Sequence, residues 1–269
     1  MKKMMTALAA FTLAAGLSGC TKTEDTEAAT ETEASGISGN WMIDLDSAQF
    51  ENDNRDFVLT DGEWTCNSCT PPYSVTADGE WQTIDRPGAD GQMIEVVDDR
   101  TVKMASRLGD KNLGNGTWTV SEDGKTLTQE WTDLSGDQPV SGKGSFTRTE
   151  AGPEGSHAVS GKWTSNGIES YDEAGLRFGY SLKGEQLTLT DNGGGWSATL
   201  RGDPVPVEGS DSNVMVAVER MGENGFRETY SRDGETLSVS EITIDGDTLT
   251  GVSTDARDDS VVRWTASRQ

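Results

Sequence analysis

Histidine is nearly absent from this 269-residue chain, cysteine occurs three times and proline seven times, and 22 basic residues face 46 acidic ones. Each scarcity excludes something. A single histidine, His157, leaves no metal quartet and no histidine-based triad to look for. A formal charge of −24 repels phosphate backbones and anionic headgroups, so neither nucleic-acid binding nor docking of a folded face onto acidic lipid is expected. There is no phosphate loop, no nucleophile elbow and no acidic stretch with the spaced ligands and central glycine of a calcium loop. The acidic clusters Asp53 to Asp56, Asp98-Asp99 and Asp258-Asp259 read as solvated hairpin tips. No cofactor, metal or catalytic residue is expected, and the chain reads as a non-enzyme.

Only one long apolar run exists, from Met4 to Gly16 after Lys2 and Lys3. A membrane-spanning helix needs about 20 apolar residues, so this run reads as the core of a secretory leader rather than a span. It ends in Leu17-Ser18-Gly19-Cys20, which resembles a bacterial lipobox. That resemblance implies a signal peptide over 1–19 and lipidation of Cys20, with the lipid as the only membrane contact. Residue 21 is Thr rather than the Asp that retains Gram-negative lipoproteins at the inner membrane, which implies the periplasmic side of the outer membrane. Residues 20–36 contain no large apolar side chain and are expected to form a disordered acidic tether. Loss of the two leader lysines takes the charge from −24 to −26 in the mature side chains.

Glycine is plentiful, at 32 residues, and the body of the chain alternates apolar and polar positions, as in Val102, Met104, Trp118, Val120 and Leu127. Period two means strands, and the Asp-Gly steps at Asp78-Gly79, Asp123-Gly124, Asp233-Gly234 and Asp245-Gly246 favour tight hairpins between them. The chain also repeats itself. Ser38-Gly39-Asn40-Trp41 returns as Ser160-Gly161-Lys162-Trp163, and Asp123-Gly124-Lys125-Thr126-Leu127 returns as Asp245-Gly246-Asp247-Thr248-Leu249. Two units follow, 37–149 and 159–269, joined by a Gly/Pro-bearing linker over 150–158. A meander of about eight strands loses its exposed edges best by closing, so the fold class expected is all-β, two tandem antiparallel barrels.

Each unit opens on Gly-x-Trp and closes on an Asp-Gly-x-Thr-Leu hairpin, and the first carries Cys66-Asn67-Ser68-Cys69 followed by Pro71-Pro72-Tyr73. The chain thereby resembles bacterial secreted lipocalin-like proteins with duplicated β domains, a family whose fold is recognisable and whose function is not established. The resemblance implies that Trp41 and Trp163 plug the barrel floors. Cys66 and Cys69 are expected to pair as a local disulfide in an oxidising compartment, since Pro71-Pro72 precludes the helix a redox-active Cys-x-x-Cys would begin. Trp64, Trp81, Trp118, Trp131, Trp196 and Trp264 could line a cavity, although aromatic residues in strands more often build core. The favoured expectation is a non-catalytic structural or protein-interaction module that meets a basic partner. The alternative is a periplasmic binding or carrier protein holding a small apolar ligand in a barrel.

Overall fold

A computed structural model describes residues 36–86, 88–209 and 213–269. The leader, Cys20 and nearly all of the expected tether lie outside the described residues. Within them, alternating apolar residues and glycine turns generate strand after strand. Among the described residues the single helical element is a 3-10 turn at Glu173–Gly175, and no helix there is long and apolar enough to cross a membrane.

The strands sort into two ten-stranded antiparallel sheets. Barrel 1 consists of β2 (Asn54–Thr60), β3 (Glu63–Cys66), β4 (Tyr73–Thr76), β5 (Asp78–Arg86), β6 (Ala89–Asp98), β7 (Thr101–Leu108), β8 (Lys111–Val120), β9 (Thr126–Asp133), β10 (Val140–Ala151) and β11 (Gly161–Tyr171). Barrel 2 consists of β1 (Gly39–Glu51) together with β12 (Arg177–Lys183), β13 (Gln186–Thr190), β14 (Gly195–Thr199), β15 (Val205–Pro206), β16 (Met215–Met221), β17 (Gly225–Arg232), β18 (Glu235–Asp245), β19 (Thr248–Asp255) and β20 (Val261–Arg268). In each sheet the two edges come together. Ala77 alone separates β4 from β5, and Gly195 bridges Glu208 across the gap between β14 and β15. Each sheet is therefore a nearly closed barrel. Each sheet has ten strands where about eight are expected, the corner at Ala77 dividing one strand into β4 and β5.

The sheets do not follow the repeat boundaries at 149 and 159. The opening strand of the first repeat, β1, pairs with β12 and β20 in barrel 2, while the opening strand of the second repeat, β11, pairs with β10 and β2 in barrel 1. The physical reason lies in the duplication: both strands carry Gly-x-Trp, and each fits either slot. The chain thus forms barrel 1 from one continuous stretch and closes barrel 2 with its own beginning. The first two linker residues, Glu150 and Ala151, belong to β10.

Two separate apolar cores result. Trp41, Phe178, Leu187, Trp196 and Leu249 are among the residues that fill barrel 2; Phe57, Trp64, Trp118, Leu127 and Trp163 are among those that fill barrel 1. At about 25 cal/mol for each Å² of apolar surface removed from water, the fully buried tryptophans are the largest individual contributors.

Candidate functional site

The two Gly-x-Trp ends, the expected floors of the barrels, are built alike. Trp41 and Trp163 are fully buried, and each indole N–H donates to the carbonyl four residues earlier, Ile37 at 2.9 Å and Val159 at 3.0 Å. An arginine from the last strand of each repeat caps each ring, Arg268 at 4.3 Å from Trp41 and Arg148 at 4.0 Å from Trp163. These guanidinium groups also donate to the backbone before the tryptophan, Arg268 to Gly36 and Ser38, Arg148 to Ala158 and Ser160. Sequence reasoning missed both arginines. Their signal was available, as each sits close to the end of its repeat in Thr147-Arg148 and Ser267-Arg268.

Above the floors the interiors part company. Cross-strand register makes the comparison position by position. In barrel 1 the pair Leu127 and Phe146 is followed inward by Gln129 and Gly144, and Gln129 also faces Trp118. In barrel 2 the matching pair Leu249 and Ala266 is followed by Gly251 and Trp264, and Gly251 faces Ile242. Trp163 pairs with Arg55, whereas Trp41 pairs with Phe178. Thus Arg55, Trp118 and Gln129 of barrel 1 occupy the places of Phe178, Ile242 and Gly251 in barrel 2.

All three barrel 1 residues are buried, with 4%, 2% and 3% exposure, and each keeps an N–H donor without a hydrogen-bond acceptor: Arg55 Nε, Trp118 Nε1 and Gln129 Nε2. Leaving a buried donor unpaired costs about 1–3 kcal/mol, so three together demand a reason. Arg55 Nη1 stands 2.7 Å from Asp53 Oδ1 without hydrogen-bond alignment, and its guanidinium lies 5.5 Å from the Phe146 ring. Burial pulls the Arg55 pKa down, while Asp53, Asp258 and Asp255 act in the opposite direction. Asp53 and Arg55 are therefore no solvated hairpin tip: the link from β1 to β2 crosses between the barrels there and takes both side chains out of water. The Asp98-Asp99 pair is an exposed turn.

Beyond Gln129 the next row of barrel 1 reads Gly116, Trp131, Gly142, Tyr171. The Trp131 ring lies across Gly142, where any Cβ would collide with it, and reaches over Gly144. It is half-buried, stands 6.3 Å from the Tyr171 ring, and is not part of the apolar core.

The equivalent depth of barrel 2 is polar too, but closed on itself. Glu228 is buried and accepts hydrogen bonds from the Tyr180 and Tyr230 hydroxyls, while the Trp196 indole donates to Tyr230 at 3.2 Å. Ser240 and Ser253 bond each other at 2.8 Å. Burial raises the Glu228 pKa to about 7 against the pull of the two tyrosines. Asp191, on the loop after β13, is raised to about 8 by burial, and neither of its oxygens has a hydrogen-bond partner. The same loop touches barrel 1, since Asn192 donates to the Gln138 carbonyl at 3.0 Å.

A shallow groove of about 420 Å³ opens across β8 to β11, lined by the row of Gly116, Trp131, Gly142 and Tyr171 as well as by polar residues such as Glu130 and Lys143. Cys66 and Cys69 form a disulfide in the turn between β3 and β4. His157 lies at the floor of barrel 1, its ring against the Asp98 carbonyl at 2.6 Å. No cluster of three or more metal-ligating side chains occurs among the described residues.

Comparison of the chain with family models, with curated proteins and with solved structures finds no match. The coarse architecture, two nearly closed antiparallel β-barrels in a duplicated chain, stands on the structure alone.

Proposed function

We propose that this protein is a lipid-anchored, non-catalytic binding protein of the cell envelope that holds a small molecule in barrel 1, with barrel 2 as its structural companion. The observation that carries this reading is the set of buried, acceptor-less donors at Arg55, Trp118 and Gln129, in a barrel whose sister has apolar residues or glycine at the same positions. Small closed barrels can hold one small ligand, and ligand pockets are mostly apolar with a few placed polar groups. Barrel 1 has that composition. Its aromatic cluster of Phe57, Trp64 and Trp118, with ring centroids 4.9–5.6 Å apart, adjoins the polar donors. Lipidation at Cys20 and placement at the periplasmic face of the outer membrane complete the reading.

Native mass spectrometry of a Cys20→Ser soluble chain, purified gently from the periplasm and then extracted with organic solvent, tests it. A stoichiometric small molecule that leaves on extraction is the expected result. A clean apo mass together with failure to take up any molecule from an envelope lipid extract contradicts it.

A second reading is favoured by the groove across β8 to β11. Its exposed carboxylate, ammonium and hydroxyl groups suit a protein surface, so that the barrels would act as rigid supports. Charge reversal at Glu130 and Lys143 that abolishes a partner contact, with barrel 1 found empty, would favour that reading instead.

A further inference from the structure

Resting on the barrel 1 reading, we infer that the ligand is an uncharged amphiphile, a hydrocarbon or ring body whose polar end carries carbonyl or ester oxygens. The unpaired groups on Arg55, Trp118 and Gln129 are all N–H donors, so they call for a molecule that accepts hydrogen bonds. Charge decides the rest. Arg55 stands 2.7 Å from Asp53, and Asp255 and Asp258 of barrel 2 add negative potential at the same guanidinium. A carboxylate or phosphate entering there meets a site already neutralised, inside a chain of net charge −24. The Asp53 carboxylate oxygens also lack hydrogen-bond partners, but they lie against the Arg55 guanidinium, which already answers their charge, so a cation gains little there. A neutral carbonyl satisfies the donors and brings no charge to bury.

The body of the ligand has a place as well. Trp118 joins the polar row to the apolar one, since it pairs with Gln129 on one side and Val102 on the other. Entry runs past Trp131. Its half-buried ring covers Gly142 and lies outside the apolar core, so displacing it would leave the floor intact.

The test is a titration of the Cys20→Ser chain, followed by tryptophan fluorescence, with three probes of equal chain length: monodecanoylglycerol, decanoate and decylammonium. The ester is expected to bind at least about tenfold more tightly than either of the others, the size of one or two hydrogen bonds to buried donors. Gln129→Leu, which supplies a barrel-2-like apolar residue, is expected to remove that preference, and Glu228→Gln to leave it intact. Equal affinities for the three probes, or a preference for decanoate, overturn the assignment of ligand class. If the native mass spectrum nonetheless shows a molecule extracted from barrel 1, the binding reading survives and only its chemistry falls. A preference for the ester that persists in Gln129→Leu overturns the site itself.

Discussion

The two barrels are built on one pattern and stop agreeing just above the floor. Barrel 2 closes its polar interior with its own groups: Glu228 takes both tyrosine hydroxyls, Tyr230 takes the Trp196 indole, and two serines satisfy each other. Barrel 1 leaves buried N–H donors on Arg55, Trp118 and Gln129, and also on Trp64 and Arg86, without acceptors, and puts glycine on the strands beside Gln129. Duplication explains the difference. Once two copies exist, one can keep the fold stable while the other carries groups that cost stability and are useful only when something binds. Natural proteins store such costs at functional sites.

The largest effect comes from breaking what the barrels share. Trp163→Ala and Trp41→Ala should each cost about 3–5 kcal/mol, by lost burial plus the cavity left behind, as read from urea unfolding. Because β1 belongs to barrel 2, Trp41→Ala should expose barrel 2 amides to hydrogen exchange even though residue 41 begins the first repeat. Loss of protection confined to barrel 1 would contradict the strand exchange.

Next in size is the pH dependence of barrel 2. Glu228 is raised to about 7 and Asp191 to about 8, while unfolded carboxyls titrate near 4. Their folded state binds protons more tightly, so their contribution is fully present below pH about 4 and is lost as pH rises through about 7 and then about 8. The free energy of unfolding should therefore fall between pH 5 and pH 8.5 by an amount on the order of a few kcal/mol, read as a falling melting temperature. Glu228→Gln should flatten part of that slope. An unchanged slope would show that general repulsion among the acidic groups, rather than this buried carboxyl, governs it.

A smaller effect, of opposite sign, distinguishes barrel 1. Gln129→Leu removes a donor that has no acceptor and should raise stability of the ligand-free chain by about 1 kcal/mol. A loss instead would mean that Gln129 is already satisfied and that the asymmetry between the barrels is illusory. The smallest effect belongs to the surface. Lys143→Ala breaks an exposed ion pair with Glu169 and should change stability by less than about 1 kcal/mol.

Much of this architecture was legible in the sequence. Period-two alternation and Asp-Gly turns announced strands, the returning Ser-Gly-x-Trp announced a duplication, and Cys-x-x-Cys ahead of Pro-Pro announced a local disulfide. The strand exchange was not legible, because β1 and β11 carry the same opening pattern and nothing local prefers one slot to the other. Arg55 was hidden for a different reason. Asn52-Asp53-Asn54-Arg55-Asp56 has the composition of a solvated turn, and only the crossing between barrels buries it. Gln129 sits at an inward position of a strand that reads Thr126-Leu127-Thr128-Gln129-Glu130-Trp131, but its missing acceptor depends on Trp118, Gly144 and their register, which no periodicity reveals.

The most direct measurement is the indole N–H region of the nitrogen–proton NMR spectrum of the Cys20→Ser chain, which holds one signal for each of the eight tryptophans. Trp41, Trp163 and Trp196 already donate within the fold, whereas Trp118 does not. On titration with monodecanoylglycerol, the account predicts a downfield shift of the Trp118 signal as it gains an acceptor, with the signals of Trp41 and Trp196 in barrel 2 unmoved. A titration that shifts Trp196 and leaves Trp118 in place would contradict it.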